Sequence, residues 1–167
     1  MINSQPFLRL CAKVQTFFRK PFFTQPRTLF GLWTFLAVIA GITKIAPHRH
    51  NNFLIFRGVF WHTLQKLSLY DFYPKEYNDH NHYGPIFSLV IAPFAVVPDA
   101  LGLLGWLVVL ALGLYYAVRR LPLEEGRQIF LYWFCAHELL TALQMQQFNI
   151  AIAAIIVGSF AAIEKGR

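Results

Sequence analysis

Apolar runs separated by short polar interruptions set the pattern of this chain. Residues 29–46 form the first run, with Lys44 as its one charge, near the far end where its stem can carry the ammonium to the interface. Residues 85–97 are apolar but short for a crossing, and Pro93 interrupts them. Pro98-Asp99 then reads as a turn, and residues 100–118 are a clean uncharged run, so the two runs predict a helical hairpin. Residues 128–143 are apolar except for His137, Glu138 and Thr141, and after "QMQQ" a fifth run covers residues 148–163. The pattern predicts an all-α, polytopic transmembrane helical bundle of about five membrane segments.

Two further stretches have helical rather than spanning periodicity. In residues 52–69, Phe53, Phe56, Phe60, Leu64 and Leu67 recur at spacings of three and four, with Arg57, Gln65 and Lys66 on other faces. This predicts a helix lying in the outer membrane interface, within the first outer loop. In residues 7–20, Phe7, Leu10, Val14 and Phe17 share a face, which fits either an amphipathic helix on the inner surface or a basic tail.

Composition agrees with a membrane protein. The chain has 167 residues, 56% of them hydrophobic and only 14% charged, against about 25% charged in soluble domains; its mean hydropathy is +0.44. The net charge of +7 is uneven: residues 1–28 hold Arg9, Lys13, Arg19, Lys20 and Arg27 and no acid. Basic flanks of this kind lie on the cytoplasmic side and attract anionic lipid, which makes membrane lipids the partner and argues against nucleic acid. The reading is a basic cytoplasmic segment, residues 1–28, followed by a retained signal-anchor that leads into an outer loop at residues 47–84. Counting five crossings from an inside N-terminus places "RRLPLEEGR" outside, against the preference of Arg119-Arg120 for the cytoplasm. A re-entrant 85–97 would swap every later loop. Cys11 and Cys135 are not expected to pair; Cys11 is an unmodified thiol or, in its basic membrane-proximal setting, an acylation site.

The chemistry concentrates in "YDFYPKEYNDHNHYGP", residues 70–85, where Asp71 is the first acid of the chain. Asp79, Glu76 and Asp71 are candidates for a general base at a membrane surface. Tyr77 and Tyr83, with Tyr70 and Tyr73, suit either sugar faces or the headgroup zone. Asp79, His80 and His82 look like part of a metal site, but alternate residues of an extended chain point apart and no third strong ligand is close, so no metal is assigned. Glu138 is costly within an apolar segment and, with Gln144, Gln147 and Asn149, serves either interhelical hydrogen bonding or substrate contact.

The order of "NNFLIFRGVFWHTLQKLSLYDFYP", "HYGPIFSLVIAPFAVVPD" and "ELLTALQMQQFNIAIAAI" resembles glycosyltransferase family 87, integral-membrane enzymes of the GT-C class. The matching pieces are Leu69-Tyr70, Tyr83-Gly84-Pro85, the segment 92–98 and Gln147-Phe148-Asn149. The resemblance implies transfer of a sugar, often mannose, from a polyprenyl-phosphate donor to a lipid-linked or envelope glycan at the outer face of the plasma membrane. It implies no cofactor beyond the lipid-linked donor, and a GT-C-like region over residues 29–167. Asp79, Glu76 or Asp71 would be the base. Tyr77, His80, His82, Tyr83, Glu138, Gln144, Gln147 and Asn149 would bind substrate. The family usually carries an aspartate just before the aromatic helix, where this chain has Asn51-Asn52. Family members are typically more than twice this length, which implies an N-terminal portion. The alternatives are a catalytically inactive scaffold and a small transporter with Glu138 as its coupling carboxylate, though no inverted repeat is visible.

Overall fold

The computed structural model describes residue 16 and residues 20–46 and 49–166; most of the stretch 7–20, and Cys11 with it, lies outside the described residues. Among the described residues there are seven helices and no strand: α1 (Pro21–Thr24), α2 (Pro26–Ile45), α3 (Asn51–Gln65), α4 (Phe87–Ala95), α5 (Asp99–Arg119), α6 (Glu125–Gln144) and α7 (Asn149–Lys165).

The all-α expectation holds, whereas only two of the five expected crossings are supported. Only α2 and α5 are long and apolar enough to cross a membrane among the described residues; each is about 30 Å long. α4 has nine residues with Pro93 inside, so it reaches about 14 Å, less than half of a bilayer core. α6 carries Glu125, Arg127, His137 and Glu138 along its length, and α7 stops at 17 residues.

Contacts along the helices give their directions. Tyr115, near the end of α5, donates its hydroxyl to the Pro26 carbonyl at the start of α2 (3.1 Å), so these two helices are antiparallel. Asn52 at the start of α3 donates to Met145 at the end of α6 (2.7 Å), which sets α6 parallel to α2. Trp106 stacks on Phe148 at one end, and Ala117 lies against Gly158 toward the other, so α7 runs parallel to α5. Four long helices therefore alternate in direction, with α5 packed against α2, α6 and α7. The short α3 and α4 pack on each other and cover the end where α2 and α6 finish and α5 and α7 begin.

The core between α2, α5 and α6 is aromatic, and its polar tips are satisfied. The Trp33 indole donates to the Tyr132 carbonyl (3.2 Å), and the Tyr132 hydroxyl donates to the Tyr115 carbonyl (3.0 Å). The Tyr115 and Tyr132 rings stack at 4.7 Å, and Trp33 meets Tyr132 edge-on at 5.2 Å. Burying these rings with bonded tips gains their apolar area without stranding a donor. On the outside, Phe35, Ile42, Val109, Phe134, Ile155 and Phe160 are all exposed, an apolar surface of the kind that faces lipid rather than water.

α3 is shorter than the expected 52–69. Lys66 adopts a left-handed conformation (φ 57°), and the amides of Lys66 and Leu67 fold back onto the Thr63 and His62 carbonyls. This is a Schellman stop, built here without glycine. Four residues further on, the chain has already turned away as a loop. α3 reaches α4 through Arg57, whose guanidinium donates twice to the Ala95 carbonyl at the end of α4 (3.1 and 3.0 Å) and pairs with Asp99 at the start of α5. Burial lowers the Arg57 pKa from its ordinary value.

Gly102 permits the closest approach among these elements. A Cβ there would overlap the Phe94 carbonyl oxygen, a backbone atom that cannot swing aside. Gly102→Ala is expected to destabilise the protein by about 2 kcal/mol through overpacking, read as a lower unfolding midpoint in detergent. Gly113→Ala, where the added methyl meets open space, should leave that midpoint unlowered.

Candidate functional site

The turn between α6 and α7 reaches across to the start of α3. Gln146 is 3% exposed and left-handed (φ 52°). The amides of Gln146 and Gln147 close a second Schellman stop on the Leu143 and Ala142 carbonyls. The Gln146 side chain then caps α3: its Oε1 accepts the Phe53 amide (3.1 Å), while its Nε2 donates to the Arg49 and Gln144 carbonyls (both 3.3 Å). His50, the residue at the α3 N-cap position, supplies no side-chain cap. A glutamine far away in sequence therefore satisfies an amide that a local serine or aspartate usually would.

Asn51 and Asn52 complete the junction. Asn52 donates to the Met145 carbonyl, and the Asn51 Oδ1 accepts the Asn78 amide (2.7 Å). The slot where the resemblance implies an aspartate is thus occupied by two tie points. A carboxylate at position 52 could not donate to a carbonyl.

Between these ties lies the α3–α4 loop, residues 66–86, which is held from within. Asn81 is buried: its Nδ2 donates to the Leu69 and Tyr83 carbonyls (3.0 and 2.9 Å), and its Oδ1 accepts the Tyr83 amide (2.9 Å). His62, 2% exposed on α3, contacts the Glu76 carboxylate through Nε2 (3.0 Å), with the Tyr73 ring 4.0 Å away. Tyr77 lies over Gly58, buried with its hydroxyl unpartnered. Burial first, then Glu76 and Tyr73, push the Tyr77 hydroxyl up to about 12. Burial also raises Tyr83, and burial with Asp71 and Glu76 raises Tyr73. All three are protonated phenols at neutral pH.

This framework leaves a cleft of about 160 Å³ between the loop, α3 and the α6–α7 turn. Asp79, His80 and His82 line it from the loop, Asn52 from α3, and Gln147 and Asn149 from the turn. Its apolar wall is Phe56, Tyr83 and Phe148; Tyr83 meets Phe56 edge-on at 5.0 Å and Phe148 at 6.1 Å. Asp79 uses Oδ1 to accept the His80 amide (2.7 Å), and the His80 ring packs on Phe72 at 5.1 Å. One carboxylate oxygen is thereby fixed, and the group remains exposed to solvent. Asn149 opens α7, so the cleft faces the positive end of that helix, where negative charge is stabilised. The volume lies below the roughly 300 Å³ at which ligand pockets usually begin; it suits a single ring or one end of a larger substrate.

The sequence candidates divide accordingly. Asp79, His80, His82, Tyr83, Gln147 and Asn149 come together in the cleft. Glu76 turns away to His62, Tyr77 is sealed beneath the loop, and Asp71 is exposed and outside the cleft. Gln144 contributes its backbone carbonyl to Gln146. Glu138 points outward from α6, its side chain 83% exposed beside His137. Among the described residues no group of three His, Cys, Asp or Glu side chains could hold a metal ion. Asn52, Phe56 and Phe148 in the cleft, and Asn81, His62 and Gln146 behind it, are the residues that spacing alone missed. "QMQQ" carried the only hint, three glutamines in a chain otherwise poor in them near the end of an apolar run.

Removing the Gln146 cap strands the Phe53 amide in a buried place. Gln146→Leu is expected to cost about 1–3 kcal/mol, with faster hydrogen exchange at Phe53. Asn52→Asp should loosen the same junction, whereas Asn51→Asp, which keeps an acceptor for Asn78, should leave it intact.

No curated protein and no solved structure was found to match the chain. The model of glycosyltransferase family 87 matches residues 81–167, just over half of the chain. The match takes in His82, Tyr83, the α6–α7 turn and both flanking helices, while Asp79, His80 and Asn52 lie ahead of it. With its two apolar helices and lipid-suited surface, the chain is a membrane protein, and it belongs to glycosyltransferase family 87.

Proposed function

We propose that the chain is a membrane glycosyltransferase, or the part of one, that moves a sugar from a polyprenyl-phosphate donor to a lipid-linked or envelope glycan, with mannose as the sugar. The reading is carried by one observation: an exposed carboxylate, two imidazoles and three side-chain amides converge over aromatic rings at a single end of the helical bundle. Asp79 takes the proton from the acceptor hydroxyl as it attacks the anomeric carbon. Its bond from the His80 amide orients the carboxylate, leaving Oδ2 for the incoming hydroxyl. His80 and His82, with the α7 N-terminus, face the departing phosphate. The aromatic wall presents faces to the sugar, and Gln147 and Asn149 supply amide donors and acceptors to its hydroxyls. The reaction needs no metal and no cofactor beyond the lipid-linked donor.

The same geometry supports an orientation. Arg27, Arg119, Arg120 and Arg127 cluster where α2 and α6 begin and α5 ends. Placed in the cytoplasm of a plasma membrane, as basic residues favour, that end puts the N-terminus inside and the Asp79 cleft on the outer face. A second reading, an inactive scaffold, is favoured by one fact: Asp79 is the single carboxylate in the cleft, and Asn51 and Asn52 are committed to holding the fold.

The test is sugar transfer by membranes carrying the protein, supplied with polyprenyl-phosphate-mannose. Asp79→Asn is expected to lower the rate by about 100-fold or more, in the range usual for loss of a general base. Glu76→Gln should leave most of the activity, since Glu76 faces His62. Full activity in Asp79→Asn removes the base assignment, and no transfer by the unaltered protein favours the scaffold.

A further inference from the structure

Three cavities larger than the Asp79 cleft lie at the other end of the molecule. They share Pro26 and Arg119 in their linings, have volumes of about 250, 420 and 300 Å³, and so adjoin as one groove along Arg119. On the inner side the groove enters between α2, α5 and α6, past Gln128 and Tyr132. On the outer side it opens beside Arg27 and runs onto Phe30, Tyr115 and Tyr116. Phe30 meets Tyr115 at 5.6 Å and Tyr116 at 6.4 Å, so the outer wall is a continuous aromatic ledge, and Tyr116 is exposed to the surroundings of the bundle.

Two guanidiniums share this groove, and neither makes an ion pair with a described carboxylate. The nearby Glu124 is turned to Arg127 (3.7 Å). Glu125 is the one acid on the lining, in the inner part of the groove. Arg27 opens α2 and Arg119 closes α5, the two helices apolar enough to cross the membrane. The groove therefore lies at the level where a bilayer's polar surface meets its hydrocarbon.

We propose that this groove is a binding site for one anionic phospholipid, its phosphodiester held between Arg27 and Arg119 and an acyl chain laid along Phe30 and Tyr116. Guanidinium forks match phosphate oxygens in a way that a surface lysine does not. The exposed ledge continues from the charge into the lipid-facing side, which a free phosphate would leave uncovered. A zwitterionic lipid brings its own cation to the groove and gains less from two guanidiniums that no described carboxylate pairs. The site is separate from the sugar-transfer cleft, and its occupancy does not depend on that chemistry.

Native mass spectrometry of the purified protein, equilibrated with equal phosphatidylglycerol and phosphatidylcholine of matched chains, tests the assignment. The protein is expected to retain phosphatidylglycerol in preference, and Arg27→Gln/Arg119→Gln should reduce that retention by about tenfold. Arg120→Gln/Arg127→Gln, which removes the same charge from the same end outside the groove pair, should leave it unchanged. Circular dichroism confirms that each variant is folded; if the double variant is not, Arg119→Gln alone replaces it, with a smaller loss expected. Equal retention of both lipids, an equal loss in the control pair, or displacement of the lipid by millimolar inorganic phosphate would overturn the proposal.

Discussion

The side-chain amide of Gln146 joins parts of the molecule that lie 93 residues apart in sequence. It ends α6, starts α3 and sits between the two with its donor and acceptor both used. A left-handed residue other than glycine costs roughly 1 kcal/mol or more, and at Gln146 the side-chain bonds offset that cost. Everything that faces the Asp79 cleft follows from this junction. Asn52 is drawn to Met145, Asn51 takes the loop through Asn78, and Gln147 and Asn149 are left facing Asp79. Hydrogen bonds of this kind are worth little each in water, but stranding their buried partners is expensive.

Much of the framework was legible in the pattern of apolar positions. The runs at 29–46 and 100–118 became α2 and α5, and the three-and-four spacing of Phe53, Phe56 and Phe60 became α3. The misreadings have specific causes. Periodicity does not announce a Schellman stop at Lys66, because lysine is no usual left-handed residue and only its backbone bonds reveal the turn. The segment 85–97 passed as half of a membrane hairpin because its composition is apolar, yet its helix has only nine residues and the segment has two faces: Phe87, Ile91 and Ala95 are buried against protein, while Ile86, Leu89, Val90 and Val96 are exposed. Hydropathy cannot distinguish a residue that faces lipid from one that faces a neighbouring helix. In the loop, spacing found Asp79, His80 and His82 but not Asn81 between them, whose work is done by a side chain turned inward. Asp79 stands ahead of Glu76 as the base without a physical reason in the spacing; the two differ in space, with Glu76 turned to His62 and Asp79 lining the cleft.

The short α4 also removes a conflict of charge. With 85–97 counted as a crossing, Arg119-Arg120 would have faced away from the basic N-terminal segment. Because α4 instead stays with α3 at one end, α5 returns to the end where α2 began. Arg27, Arg119, Arg120 and Arg127 then share a side, and the loop's acids share the other. Packing and charge bias, which come from different parts of the sequence, agree once a single helix is given its true length.

The two walls of the cleft belong to different moments in the making of the chain. Asp79, His80 and His82 leave the ribosome some 65 residues before Gln147 and Asn149, several seconds at about 5–20 residues per second. During that interval the first turn of α3 has no Gln146 to cap it, and the loop has nothing to close against. Until the α6–α7 turn arrives, the newborn protein presents at one membrane face an acidic loop stapled by Asn81 and His62 but open on one flank. Assembly of the site therefore waits on the α6–α7 turn, and anything that stalls synthesis before residue 146 leaves a chain with α2 and α5 in place and no cleft.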